Sequence, residues 1–329
     1  MRVVVVGVGV IGATYGWLLG EAGHDVDFLV RPHRAAQLRE RGLDLRATDL
    51  RGRRPTSREV HLEPTVVAAV PTGPHAPDLV IVPVLEQHLD AALAAIAGTG
   101  YRGDVLVFGN VWDPVGVAGR HLPAGQALFG FPHMVGGGRQ ANRIETIVFD
   151  EETQLGEADG RPSQRLERTA DAFRDAGLNP ETNPAIIEWL HTHYIQQASS
   201  IGPMLEAGSG SGMLDDRALA RRALQGYREG MEVCRALGID PARSVPMPWL
   251  LLRAPLGLLV PLFRRMLGNE HDRAMLDGHF AHGAAEMVRG FDTIMEAAEH
   301  LGVDLPTWRS FSPVVERWRE QQVPDLKAT

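Results

Sequence analysis

Residues 7–12 have the glycine spacing with which a backbone turn binds a pyrophosphate. The turn reads Gly7-Val8-Gly9-Val10-Ile11-Gly12. In such a turn the first glycine permits a tight bend, the second lets phosphates approach the backbone, and the third lets helix and strand pack closely. The amide groups of a helix that starts here then present partial positive charge to the phosphates. The six residues therefore predict a dinucleotide site.

Arg31 stands at the end of the second predicted strand, where the residue type distinguishes one dinucleotide from another. An acidic residue at this place usually binds the ribose 2′-hydroxyl of NAD, whereas an arginine binds the 2′-phosphate of NADP. Here the residue is Arg31, with His33 and Arg34 close behind it. A guanidinium group can bind two phosphate oxygens at once. The pattern predicts NADPH as the cofactor.

Two predicted helices carry side chains that could move a proton. In the helix predicted over 186–201, residues four apart lie on one face, and this brings Trp189, His193 and Gln197 together. In a later helix, His279, His282 and Glu286 also share a face. Histidine transfers protons near neutral pH. Equally, the first histidine could be a packed core residue, and the later group a solvated surface. No His or Cys spacing predicts a metal site.

The predicted elements that position these residues divide the chain in two. A parallel sheet is indicated up to residue 156 because short apolar runs alternate with helical segments. Beyond residue 184 amphipathic helices dominate. The fold class is thus α/β, with a Rossmann dinucleotide-binding domain over 1–182 followed by an all-α domain over 183–329. The predicted strands are 2–6, 25–30, 78–84, 104–109, 126–131, 144–149 and 152–156, and the helices of the first domain include 86–97, 163–176 and one that starts at Asp113-Pro114.

Composition excludes several classes of function. The net charge is −8, and no long run of basic residues marks a nucleic-acid or anionic-lipid surface. The single cysteine, Cys234, favours a reducing compartment, and we predict a cytoplasmic protein with a small-molecule substrate. The apolar segment 246–267 contains Arg253 and internal prolines, so a membrane span is not expected. We interpret it as a buried helical hairpin, a lid, a wall for a bulkier substrate, or the interface of a possible homodimer.

Together these features resemble the ketopantoate reductases (2-dehydropantoate 2-reductases) over nearly the whole chain. The resemblance rests on the glycine turn, Arg31, Asn110 after the fourth predicted strand, Glu188-Trp189-Leu190 and Glu286. The segments Gly130-Phe131-Pro132 and Leu155-Gly156-Glu157 also resemble divergent members of the family. The resemblance implies hydride transfer from NADPH to a 2-oxo acid in a cleft between the domains. It also implies that Asn110 lies beside the nicotinamide and the substrate. Equally, Asn110 could cap the helix that starts at Asp113-Pro114.

The chain departs from that family at its proton donor. The family uses a lysine on the first long helix of the second domain, but the only lysine here is Lys327. The lysine position falls within 191–194. We predict His193 as its replacement and Gln197 as a substrate ligand, with His191 or Tyr194 as alternatives. A family serine falls on Ala274, and a second lysine on Leu85.

Glu286 matches the family's glutamate, and its spacing from His282 would let it orient that ring and raise its basicity. The leading hypothesis is an NADPH-dependent oxidoreductase acting on a C=O/CH–OH couple. Two alternatives remain open: an imine- or opine-type reductase on a similar fold, and a catalytically degenerate NADPH-binding sensor.

Overall fold

The structure is a computed structural model that describes residues 1–52, 54–140, 143–245 and 247–322. It contains two compact units, the first from Met1 to Leu190 and the second from His191 onward. The sequence predicts the boundary at 182/183, just before α6 (Ile186–Ala207), and that helix runs through the division between the units.

The first unit is built on the predicted parallel sheet. Its strands are ordered β12-β11-β8-β7-β6-β1-β2-β5, and all neighbours are parallel except β11 and β8. The central strands are continuous apolar runs because helices cover both faces of such a sheet. Their bounds are β1 (Arg2–Val6), β2 (Asp25–Leu29), β5 (Thr65–Val67), β6 (Leu79–Val82), β7 (Asp104–Phe108), β8 (Ala127–Phe131), β11 (Thr153–Gly156) and β12 (Pro180–Thr182). The predicted α/β Rossmann class is confirmed.

Helices connect these strands, and the helix start predicted at Asp113-Pro114 is observed in the structure. Asp113 caps the helix that begins at Pro114, and its side chain accepts a hydrogen bond from the amide of Gly116. Asn110 is therefore not the cap of that helix. The helices of the first unit are α1 (Val10–Glu21), α2 (Pro32–Arg41), α3 (Glu86–Gly98), α4 (Pro114–His121) and α5 (Gln164–Asp175).

A second sheet, of order β4-β3-β10-β9, lies in the same unit, and only one of its strands is predicted from the sequence. It packs on α1, where the hydroxyl of Thr14 donates to that of Thr146 over 2.8 Å in a buried contact. In β3 buried and exposed residues alternate, as expected for a sheet that has one face in the core and the other exposed to solvent. The strands are β3 (Leu43–Asp49), β4 (Thr56–Leu62), β9 (Val135–Gln140) and β10 (Arg143–Val148).

The second unit is helical throughout the part that the structure describes, as predicted. Trp308 is central to its core: the indole N–H donates to the carbonyl of Gly226 over 2.8 Å, and the ring stacks on Phe291. The buried carboxylate of Glu229 accepts from the amide of Thr307 over 2.9 Å, in the first turn of a helix. Besides α6, the helices are α7 (Gly210–Asp215), α8 (Arg217–Ala236), α9 (Pro248–Arg253), α10 (Leu256–Met266), α11 (Glu270–Leu301) and α12 (Pro306–Gln322).

The described part of the apolar segment, residues 247–267, contains α9 and α10, and only some of its apolar side chains are buried. Of the alternatives, the lid, the substrate wall and the interface stay predictions. In α10, Leu259 and Val260 are buried, but Leu258 on the other face is 72% exposed. Trp249 in α9 is 68% exposed. The segment is amphipathic, and the homodimer predicted through this domain stays a prediction. No helix within the described ranges is long and apolar enough to cross a membrane.

Candidate functional site

The glycine turn joins β1 to α1, and its three glycines occupy different environments. Gly7 has a φ of +94°, and its amide donates to the carbonyl of Leu29 over 2.8 Å. A Cβ on Gly12 would lie 2.6 Å from the carbonyl oxygen of Gly7, so glycine is required for the close packing of helix on strand. A Cβ on Gly9 would meet nothing within 4 Å. The space beside Gly9 is thus open, as a pyrophosphate site requires.

The start of α1 offers hydrogen-bond donors without a competing side chain. Gly9 is the N-cap residue and supplies no side-chain acceptor to the first turn, which begins at Val10 and Ile11. Val8 in the turn is buried, which anchors the bend. Because β1 lies between β2 and β6, the strand order reverses beside it, and ligands of such sheets bind in the crevice at this switch point. The residues present fit a dinucleotide pyrophosphate.

Arginines stand at the carboxyl end of β2, which is the adenosine side of such a site. Arg31 is exposed and is the N-cap residue of α2. Arg34, in the first turn of α2, is half-buried and donates to the side-chain oxygen of Gln37 over 2.7 Å. Burial and then the nearby charge of Arg139 lower the pKa of the Arg34 guanidinium. Arg139 belongs to β9, which is distant from α2 along the chain, so the sequence did not predict that it lies near Arg34.

Asn110 follows β7 at the carboxyl edge of the sheet, in a loop that a neighbouring helix restrains. Glu86, the first residue of α3, accepts a hydrogen bond from the amide of Trp112 over 2.8 Å. This bond links the connections after β6 and β7. Leu85, at the position of the second family lysine, is 43% exposed and is the N-cap residue of α3. Glu86 was not singled out from the sequence because its partner is distant along the chain.

An aromatic cluster that sequence reasoning missed lies beyond β8. The rings of Phe131 and Trp189 have centroids 5.4 Å apart, and the His133 ring meets the Trp189 ring edge-on at 5.8 Å. Glu151 approaches the His133 ring to 3.7 Å. The predicted motif residue Trp189 thus packs on the carboxyl edge of the sheet in the first unit.

In the second unit, α6 carries the predicted proton donors. His191 and His193 are 7% and 8% exposed, and Tyr194 is buried as well. The side-chain nitrogen Nε2 of Gln197 lies 3.1 Å from Nε2 of His193, so the expected pairing one turn apart is formed. Gln197 therefore contacts the histidine itself, and its role as a substrate ligand stays a prediction.

The later group of predicted residues lies on α11 and is less compact. His279 is exposed, and its Nδ1 lies 3.0 Å from the carbonyl oxygen of Met275. His282 is exposed, and Glu286 is half-buried on the same helix. The expected orientation of His282 by Glu286 stays a prediction. Ala274, at the family's serine position, is exposed on the same helix. Within the described residues no group of three or more His, Cys, Asp or Glu side chains could hold a metal ion.

Comparison with known proteins gives a family-model match for part of the chain and a shared fold for nearly all of it. Residues 3–160 match the model of the ketopantoate reductase PanE/ApbA family. Among solved structures, a candidate ketopantoate reductase from Ralstonia solanacearum MolK2 is similar with a TM-score of 0.73 at 21% identity, covering 98% of each chain.

Two further solved structures extend the comparison. D-Mandelate dehydrogenase with NADH and anilino(oxo)acetate has a TM-score of 0.74 at 14% identity, covering 98% of this chain and 99% of that one. The 2-dehydropantoate 2-reductase of Porphyromonas gingivalis W83 has a TM-score of 0.67 at 17% identity, covering 95% and 98%. At these identities the structures establish a shared fold. The match to the ketopantoate reductase family model covers residues 3–160, within the first unit.

Proposed function

We propose that this protein is an NADPH-dependent reductase of a 2-oxo acid or a related small carbonyl compound. The observation that carries the proposal is the open space beside Gly9 at the uncapped start of α1, within a domain of a reductase family. NADPH, when bound, supplies the hydride. The single cysteine and the acidic composition favour a reducing, cytoplasmic location.

In this proposal the first unit binds and orients the cofactor. The backbone amides at the start of α1 bind the pyrophosphate, and Arg31 binds the 2′-phosphate. Asn110 holds the nicotinamide and the reacting carbonyl, and Glu86 restrains the loop that carries it. Restraint of this kind matters because catalytic rates fall steeply when a reacting group is misplaced.

His193 is the proposed proton donor. Hydride addition to a carbonyl leaves negative charge on oxygen, which a positioned acid neutralises. The side-chain amide N–H of Gln197 donates to Nε2 of His193, which fixes the ring orientation and leaves Nδ1 as the ring nitrogen that carries the proton. His191 is the alternative donor on the same helix. We keep Glu286 and His282 as proposed contacts of the substrate.

The relatives suggest which substrates to test. Members of the family are named for ketopantoate, a branched 2-oxo acid, and a similar fold binds NADH together with anilino(oxo)acetate. We propose a 2-oxo acid as the substrate class. The panel should include ketopantoate, linear and branched aliphatic 2-oxo acids, and an aromatic one, each with NADPH and with NADH.

The decisive experiment measures cofactor oxidation by the wild type, His193→Gln and His191→Gln over this panel. We expect turnover with NADPH, and a loss in kcat of about 10²- to 10⁴-fold in His193→Gln with NADPH affinity unchanged. A comparable loss in His191→Gln alone would move the donor to that residue. An inert panel, with NADPH bound tightly, would overturn the reductase proposal.

A second candidate function rests on the absence of lysine from residues 1–326. Without the family's proton donor, the chain could bind NADPH as a sensor or reduce an imine, including an opine-type adduct. Adding amines to the 2-oxo acids of the panel distinguishes these functions: turnover that requires the amine indicates imine reduction, and binding without any turnover indicates the sensor.

A further inference from the structure

The two helices of the apolar segment, α9 and α10, expose four large apolar side chains. On α10, Leu258, Leu262 and Met266 are spaced four residues apart, so they share one face, and they are 72%, 37% and 52% exposed. On α9, Trp249 is exposed as well. Single exposed apolar residues are ordinary, but a group of four on two consecutive helices marks a surface that contacts a partner.

The opposite faces of both helices belong to the core of the second unit. Leu259 and Val260 of α10 form one buried cluster with Leu224 of α8, and Leu250 and Leu251 of α9 pack against the same cluster. Both helices therefore turn their remaining face away from α8. Because only two residues separate α9 from α10, the two exposed faces form one outward surface of the second unit.

Hydrogen bonds from two arginines to backbone carbonyls hold this surface in place. The guanidinium of Arg228, on α8, donates to the carbonyl oxygens of Leu251 and Ala254 over 2.7 and 2.6 Å. Arg264, on α10, donates to the carbonyl oxygen of Leu214 in α7 over 2.5 Å. The exposed apolar faces cannot turn inward without breaking these bonds.

The charge of the segment has one sign. Residues 241–269 contain four arginines and no aspartate or glutamate, in a chain that has 41 acidic residues among 329. Arg265 precedes Met266 on the exposed face of α10, and Arg253 lies one turn after Trp249 on α9. Both arginines are exposed, and neither forms an ion pair with a carboxylate within the described ranges. The chain as a whole is acidic, but this surface is apolar and positive.

A second copy of this chain fits the surface poorly. In a symmetric dimer both copies present the same patch, so the arginines of the two copies would meet where the segment offers no carboxylate. Like charges brought together in this way disfavour association. A partner that is both apolar and anionic matches both features of the surface. A bilayer that contains anionic lipids has these two properties in adjacent layers.

We infer that α9 and α10 form a membrane-binding surface that docks on anionic lipid. Trp249, Leu258 and Leu262 enter the boundary between head groups and acyl chains, where tryptophan and leucine side chains are favoured. Arg253 and Arg265 bind the phosphate oxygens of the head groups, because an arginine side chain can extend from an apolar surface to a polar layer. The inference is independent of the proposed reductase activity.

Binding of the full chain to lipid vesicles tests the inference. We would measure flotation with vesicles of phosphatidylcholine alone and of phosphatidylcholine mixed with phosphatidylglycerol, at low and at high salt. We expect binding to the mixed vesicles only, weakened by salt. Leu258→Asn should lower the partition coefficient by about 10-fold, as loss of one buried leucine does. Arg253→Gln/Arg265→Gln should lower it by about 10- to 30-fold, the effect of two arginines near a charged surface.

The matched controls make the same chemical changes outside this surface. Leu237→Asn alters an exposed leucine at the end of α8, and Arg41→Gln/Arg161→Gln removes two exposed arginines from the first unit. Both control variants should bind the mixed vesicles like the wild type. Circular dichroism checks that each variant is folded. Should Leu258→Asn be misfolded, the arginine variant and the salt dependence of the wild type still test the inference.

Several results would overturn the inference. One is a wild type that fails to bind the mixed vesicles, and another is equal binding to both kinds of vesicle, which would leave the arginines without a role. Binding that neither Leu258→Asn nor Arg253→Gln/Arg265→Gln weakens would place the lipid contact elsewhere. A wild-type dimer in sedimentation equilibrium that Leu258→Asn converts to a monomer would assign the surface to a second copy of the chain.

Discussion

Alanine substitutions at Gly9 and Gly12 should separate cofactor binding from folding within a single turn. Gly9 has a φ of −71° and a ψ of −175°, an extended conformation that alanine adopts readily, and its added Cβ would meet nothing within 4 Å. The Cβ added at Gly12 would lie 2.6 Å from the Gly7 carbonyl oxygen and 3.2 Å from a methyl carbon of Val5. Both substitutions add one methyl group, but only the methyl group at position 9 fits without a steric clash.

The energetic consequences follow from this geometry. A carbonyl oxygen in the backbone cannot rotate away, so Gly12→Ala must move α1 from β1 by roughly 0.5–1 Å to reach an ordinary contact distance. Overpacking of this kind costs about 1–3 kcal/mol of unfolding free energy. Gly9→Ala loses a favourable N-cap residue but makes the unfolded chain less flexible, and these opposing effects leave a net change of about 0.5 kcal/mol or less.

In Gly9→Ala we expect the affinity for NADPH to fall while the unfolding free energy stays nearly unchanged. The methyl group at position 9 would occupy the open space beside the first turn of α1, where we propose that the pyrophosphate approaches the backbone. Loss of one charge-assisted hydrogen bond to the phosphates lowers affinity by about 10- to 100-fold. We therefore expect Gly9→Ala to fold like the wild type and to bind NADPH poorly.

Urea unfolding of the proteins without nucleotide gives the stability, and quenching or enhancement of NADPH fluorescence gives the affinity. Gly20→Ala is a suitable control, since its Cβ would also meet nothing within 4 Å and it lies at the far end of α1. NADPH affinity of the wild-type value in Gly9→Ala would refute the assignment of this space to the pyrophosphate. Equal destabilisation by Gly9→Ala and Gly12→Ala would refute the steric reasoning.

Three further predictions concern stability and reactivity. Glu229→Ala should lower the unfolding free energy by about 1–3 kcal/mol in urea titrations, because the amide and hydroxyl of Thr307 lose a buried acceptor; an unchanged transition midpoint would contradict this. Cys234 should react with a thiol reagent at pH 8 only after unfolding, because burial raises the pKa of its thiol to about 12; rapid labelling of the native protein would be the contrary result. Asp49→Asn should cost at most about 1 kcal/mol at pH 7. Hydrogen bonds from Arg51 lower the pKa of the Asp49 carboxyl, so this contribution is present above the ordinary Asp pKa and is lost as pH falls below it; a difference that persists at pH 2 would refute this origin.

The main sheet could be predicted because its central strands are buried on both faces. Val3, Val4 and Val5 have no exposed surface, and such apolar runs are visible in a sequence without knowledge of their neighbours. The second sheet gave a weaker signal. In β3 the alternation of Leu43, Leu45 and Ala47 is short and lies between charged residues, and β9 begins with three glycines after its first valine. A glycine-rich strand has no side-chain pattern to detect.

In the candidate site, too, local features could be predicted from the sequence, whereas features that depend on tertiary contacts could not. The glycine turn is local, so its spacing predicted a geometry that the structure contains. Arg139 and Glu86 could not be found, because each depends on a partner brought near by sheet pairing: Arg34 lies far from Arg139 along the chain, and Trp112 lies 26 residues after Glu86. Their functional interest comes from tertiary contacts, which residue type and spacing do not encode.

The choice between the two histidines of α6 illustrates what the fold adds to a motif. His191 and His193 are both buried, but residues two apart on a helix point about 200° away from each other, so one reacting group can contact only one of them. One turn beyond His193 stands Gln197, whose amide contacts its ring, whereas one turn beyond His191 stands the fully buried Ile195. A proton donor needs a polar partner that fixes its ring orientation. Gln197 is such a partner for His193, and this contact is the physical reason to prefer His193 as the donor.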